Sequence, residues 1–107
     1  MSVPLTQALG PMSSQIKELV SVLDDLIVLL RADGQSRWSK WMQEARVRLL
    51  RNDQYSGVTY LLGAYGGMGS FNDLVLGNDP SNTRFAQLRE RAWALADQMR
   101  ASLAQPD

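Results

Sequence analysis

The segment Gly66-Gly67-Met68-Gly69-Ser70-Phe71-Asn72-Asp73-Leu74 sets three glycines ahead of a serine and an aspartate, and two chemistries are open to it. A glycine-rich loop feeding a helix start presents free backbone N–H groups that could cradle a phosphate. Ser70 and Asp73, in the S-x-x-D spacing, could instead cap the helix themselves. No P-loop lysine follows Gly69-Ser70, and Asp73 places a carboxylate where a phosphate would sit. The cap is the simpler account. The segment is expected to be a structural corner made by Gly66, Gly67, Gly69, Ser70 and Asp73, with Met68, Phe71 and Asn72 left to touch a partner.

Other reactive residue types are scarce or badly spaced. The chain has no cysteine and no histidine, which excludes disulfides, thiolate metal sites, and Ser-His-Asp or Cys-His nucleophilic catalysis. Asp24, Asp25, Asp33, Asp53, Asp73 and Asp79 form no D-x-D-x-D-G loop. The adjacent pair Asp24 and Asp25 would diverge by roughly 100° on a helix, so no metal site is expected. Both are better suited to anchoring a basic partner surface. Arg37, Lys40, Arg46, Arg48 and Arg51 make one stretch basic, and Trp38 and Trp41 lie among them, so phosphate contact and base stacking are conceivable there. Those tryptophans fall on an apolar stripe, however, where packing is the commoner use. No carboxylate, lysine or tyrosine is paired at a catalytic spacing, so neither an enzyme nor a cofactor is expected.

A chain of 107 residues, 45% apolar and 21% charged, has the size and composition of one globular domain with its own core. The net charge is zero, so no global field draws it to nucleic acid or anionic lipid. The charge is nonetheless polarised. Residues 1–35 sum to −2 and residues 36–53 to +3. Residues 1–12 lack the basic start, apolar run and cleavage site of a signal peptide. The apolar run Leu26 to Leu30 is too short to cross a bilayer. A cytoplasmic setting is the expectation.

The elements that must position these residues are helices. Residues 1–12, with Pro4, Gly10 and Pro11, read as an arm. From about Ser14 to Ala32, Ile16, Leu19, Val20, Leu23, Leu26, Ile27 and Leu30 recur at helical spacing, and Asp33-Gly34 ends the run with a glycine suited to a left-handed cap. Ser36 is expected to cap a second helix over Arg37–Arg51, striped by Trp38, Trp41, Met42, Ala45 and Leu49. A shorter third helix is expected over Tyr55–Tyr65, with Gly57 and Gly63 admitting close neighbours. A short helix over Phe71–Leu76 follows the corner, stopped by Gly77-Asn78-Asp79-Pro80. The last helix runs from Ser81 or Asn82 to about Leu103, and residues 104–107 form a frayed tail. No stretch alternates with period two. The fold class read from this pattern is all-α: a single-domain antiparallel bundle of four main helices plus a short helix after the glycine-rich corner.

The run from Leu61 to Leu76, with its G-G-M-G-S-F-N-D core, resembles a family of small bacterial helical proteins sharing a G-G-M-G-S-x-N-D signature. Those proteins in turn resemble toxin-associated immunity proteins. The match is dense over about 16 residues and looser through the last helix. It implies a bacterial origin, a cytoplasmic setting and a dedicated protein partner, and carries no catalytic residue onto this chain. The expected function is therefore that of an immunity or antitoxin-type inhibitor that neutralises a toxin by binding it. The alternative is a nucleic-acid-binding or regulatory module using the basic face of the second helix.

Overall fold

The computed structural model describes residues 11–51, 53–66, 69–77 and 79–104. Four helices form: α1 (Pro11–Ala32), α2 (Ser36–Leu50), α3 (Gln54–Leu62) and α4 (Asp79–Ala104), with a 3₁₀ turn at Phe71–Asp73. The fold is an all-α bundle, and no strand occurs among the described residues. Each helix packs on the next, and α4 closes back on α1. Rungs across the pairs fix their directions. Asp24 meets Arg46 between α1 and α2; Trp41 meets Tyr60, and Arg48 meets Ser56, between α2 and α3. Glu18 meets Arg91 and Asp25 meets Arg84 between α1 and α4. Between α2 and α3, and between α1 and α4, the residue numbers run in opposite senses, so these neighbours are antiparallel.

The apolar spacing becomes the core directly. Leu19, Leu23, Leu26 and Leu30 of α1 are fully buried, against Met42 and Ala45 of α2, Val58 and Leu61 of α3, and Phe85, Ala92, Ala96 and Met99 of α4. Val28, off that face, is exposed.

The α1–α2 turn is a Schellman cap. Gly34 takes a φ of +76°, the Gln35 N–H donates to Leu30 O at 2.8 Å, and the Gly34 N–H donates to Arg31 O at 3.0 Å. Two leftover carbonyls are thereby satisfied at a position that glycine enters without strain. Because Gln35 stands at the boundary, Ser36 is the first helical residue and not the cap, and no side chain caps α2.

Other boundaries moved for local reasons. α1 begins at Pro11, three residues earlier than expected, because proline lacks only an N–H that a first turn leaves unpaired anyway. Pro80 likewise sits inside the first turn of α4 instead of stopping the chain ahead of it. α3 ends at Leu62 and not at Tyr65. The Trp41 indole N–H takes the Tyr60 carbonyl at 2.9 Å, and Ala64 and Tyr65 then bond three residues back, to Leu61 and Leu62.

Gly57 does admit a close neighbour, whereas Gly63 lies exposed just past the end of α3. A Cβ at Gly57 would stand 2.8 Å from Leu49 Cγ and 3.0 Å from the Leu49 backbone nitrogen. Gly57→Ala is thus expected to lower stability by about 1–3 kcal/mol through overpacking, although alanine is the better helix former by about 1 kcal/mol. A urea titration showing Gly57→Ala to be more stable than the parent would contradict this packing.

Candidate functional site

The corner is built by its own polar groups. Gly66 and Gly69 take φ values of +97° and +73°, which a side chain would strain. The Ser70 hydroxyl accepts from the Asn72 N–H at 3.3 Å, and the Asp73 carboxylate accepts from the Gly69 N–H at 2.8 Å. Both expected capping residues therefore act within the corner, and Asp73 reaches one residue further back than a capping box would place it. The carboxylate holds a backbone N–H that a phosphate would have needed. Gly67 and Met68 lie outside the described residues.

The short helix expected over Phe71–Leu76 is only the 3₁₀ turn, with Leu74 to Leu76 non-helical. Its carbonyls and amides are claimed from elsewhere. The Arg89 guanidinium donates through one nitrogen to Phe71 O and Leu74 O, each at 3.0 Å. The Asn82 side chain brackets Leu76, accepting from its N–H at 2.8 Å and donating to its carbonyl at 2.9 Å. Asp33, at the far end of α1, accepts from the Gly77 N–H at 2.8 Å. With these groups occupied, a longer helix has no carbonyl ladder to build on.

Phe71 does not face a partner. It is fully buried, and its ring meets Trp38, Tyr65 and Phe85 at centroid separations of 5.2–5.5 Å. It is the peg that fastens the corner into the bundle. Asp24 and Asp25 are likewise not vacant anchors: Asp24 pairs with Arg46 at 2.6 Å and Asp25 with Arg84 at 3.1 Å. Being half-exposed, such pairs each contribute about 0–1 kcal/mol. On the basic helix, Arg48 pairs with Glu44 and stacks over Tyr60, and Arg37 lies over Trp38. Trp38 is buried, and the partly buried Trp41 stacks on Tyr60 with its N–H bonded to the chain.

Asn72, another expected contact residue, is exposed. It lines an open groove of about 480 Å³ together with Tyr65, Ala86, Arg89, Glu90 and Trp93. Ala86, Arg89, Glu90 and Trp93 recur at i, i+3, i+4 and i+7, one face of α4. Tyr65 and Asn72 supply the opposite wall. Trp93 is 44% exposed. Nothing in the local sequence marks Arg89 or Tyr65 as groove residues. The signal for Trp93 was its place one residue past Ala92, off the stripe of Phe85, Leu88, Ala92 and Leu95. No three histidine, cysteine or acidic side chains gather to hold a metal among the described residues, and none of the described helices is long and apolar enough to cross a membrane.

The Tyr65 hydroxyl donates to Arg89 O at 2.7 Å. Burial pushes its pKa well above the ordinary phenol value, against the opposing pull of the Arg89 charge. The unfolded chain therefore releases this proton near pH ~10 while the folded chain keeps it. The corresponding stability is complete below that pH and is lost as the pH rises beyond it. Tyr65→Phe is expected to cost about 1 kcal/mol at neutral pH and to make the alkaline loss of stability shallower. Parallel alkaline limbs in the two proteins' stability–pH curves would contradict this burial.

Residues 31–83 match the model of a family described as Domain of unknown function (DUF6966). The chain is similar to that family from the end of α1, through α2, α3 and the corner, into the first turns of α4. Neither the curated proteins nor the solved structures contain a match to the chain.

Proposed function

We propose that this is a small protein-binding protein of the immunity or antitoxin type, which inhibits a toxic enzyme by seating it on the groove between the corner and α4. The observation that carries the reading is Trp93, a large aromatic side chain 44% exposed on a groove wall. Tryptophan is the side chain most enriched where binding energy concentrates, because it buries a large area at little entropic cost. The absence of histidine and cysteine and the resemblance of the G-G-M-G-S-F-N-D core point the same way. A bacterial, cytoplasmic setting belongs to this same reading.

Co-expression with the product of the adjacent gene tests it. The expected result is that the neighbour arrests growth alone, that this protein restores growth, and that Trp93→Ala does not. A harmless neighbour, or toxicity unchanged by the wild-type protein, would sink the proposal.

A further inference from the structure

We infer that the groove takes a guanidinium group, so that the partner's anchoring side chain is an arginine lying on Trp93 between Glu90 and Asn72. The inference rests on the protein-binding reading and adds the chemistry of the contact. Charge complementarity carries it. Along the bundle surface Glu18, Asp24, Asp25, Glu44 and Asp97 are each paired with an arginine. Glu90 has no ion-pair or hydrogen-bond partner among the described residues, and it stands in a groove of about 480 Å³. One helical turn on is Trp93, whose indole N–H also lacks a partner among the described residues and whose face is the most exposed of the three tryptophans. The exposed Asn72 side chain lines the same groove.

The bundle already shows which cation its rings accept. Guanidinium groups lie over Trp38, Tyr60 and Phe85 at 4.6, 4.2 and 4.8 Å. A planar guanidinium can stack on an indole while donating two parallel bonds to a carboxylate, which an ammonium cannot do. Arg89 is the groove's own cation, and its position is compatible with a second one. One of its nitrogens is tied to Phe71 O and Leu74 O, and its plane lies over Phe85. It therefore braces the wall that carries Asn72 and leaves the Trp93 face and the Glu90 carboxylate open. The groove exceeds the needs of one side chain and leaves room for the backbone on either side of it.

The probes are a capped glycine–arginine–glycine tripeptide and the same peptide with citrulline or lysine in place of arginine. They are titrated against the isotope-labelled full chain, following the Trp93 indole N–H resonance, which is assigned by its loss in Trp93→Phe. The arginine peptide is expected to shift that resonance saturably, with a dissociation constant on the order of 10 mM, strengthened at low salt. Lysine is expected to be several-fold weaker, and the uncharged citrulline at least fivefold weaker. Glu90→Gln should lower the arginine response by about fivefold while the amide spectrum stays otherwise that of the parent. Equal shifts from arginine and citrulline, no shift at all, or an unchanged response in Glu90→Gln would overturn the inference. Because the titration needs no toxin, its failure leaves the co-expression result standing, and failed co-expression leaves a positive titration standing.

Discussion

Phe71→Ala is expected to lower the stability of the fold by about 3–5 kcal/mol, the cost of deleting a buried aromatic side chain and leaving a cavity. The ring has no exposed surface, and it packs against α2 through Trp38, against the corner through Tyr65 and against α4 through Phe85. Edge-on contacts to Tyr65 and Phe85, at interplanar angles of 89° and 84°, add to the burial term. A domain of this size has only about 5–15 kcal/mol in total, so one substitution removes a large share. Urea unfolding at constant m value is the measurement. Phe71→Leu, which keeps much of the volume, should recover more than half of the loss. A Phe71→Ala variant within about 1 kcal/mol of the parent would mean that the ring is not the peg described here.

Arg89→Met is expected to cost about 2–3 kcal/mol even though Arg89 is only half-buried. The substitution keeps the stem but removes two charge-assisted donations, to Phe71 O and Leu74 O, and leaves both carbonyls to find water. Beyond the bonds of the 3₁₀ turn, Phe71 to Leu76 make no helical ladder, and the two Arg89 bonds stand in for it, so the corner should loosen before the bundle does. Amide hydrogen exchange at Leu74 to Leu76 is expected to accelerate in Arg89→Met more than exchange at Leu23 or Leu61. Arg89→Lys retains the charge but not the fork and should recover only part of the loss. Equal acceleration at all of these positions would make Arg89 a general surface contact and not the brace of the corner.

The helices were legible in the sequence because each carries an apolar period, although their ends moved where proline or long-range hydrogen bonds intervened. Leu19, Leu23, Leu26 and Leu30 mark the buried face of α1 at spacings of three and four, and Asp33-Gly34 announces its Schellman cap. Gly57 was legible for a similar reason, since a glycine inside an apolar helix implies a close neighbour. Asp73 and Ser70 were read as capping residues and do serve the corner. What escaped was long-range. Nothing near Phe71 in the chain reveals that Arg89 will draw off its carbonyl, or that Asn82 will bracket Leu76, so three further helical residues were expected where the chain runs extended. Asp24 and Asp25 read as open anchors because their partners, Arg46 and Arg84, lie 22 and 59 residues away. The groove itself sets Asn72 of the corner beside Trp93 of α4, a juxtaposition that only the folded chain creates.

The central claim is that a protein partner seats on that groove. It is tested most directly by the affinity of the purified protein for its co-expressed partner, compared between two truncations of exposed apolar side chains. Trp93 and Leu50 are exposed to similar degrees, 44% and 56%, but only Trp93 lines the groove. The account predicts that Trp93→Ala weakens binding by about 30-fold or more, the scale of a central interface residue, while Leu50→Ala stays within about threefold. A complex that tolerates Trp93→Ala but is broken by Leu50→Ala would place the interface at the α2–α3 end and contradict it.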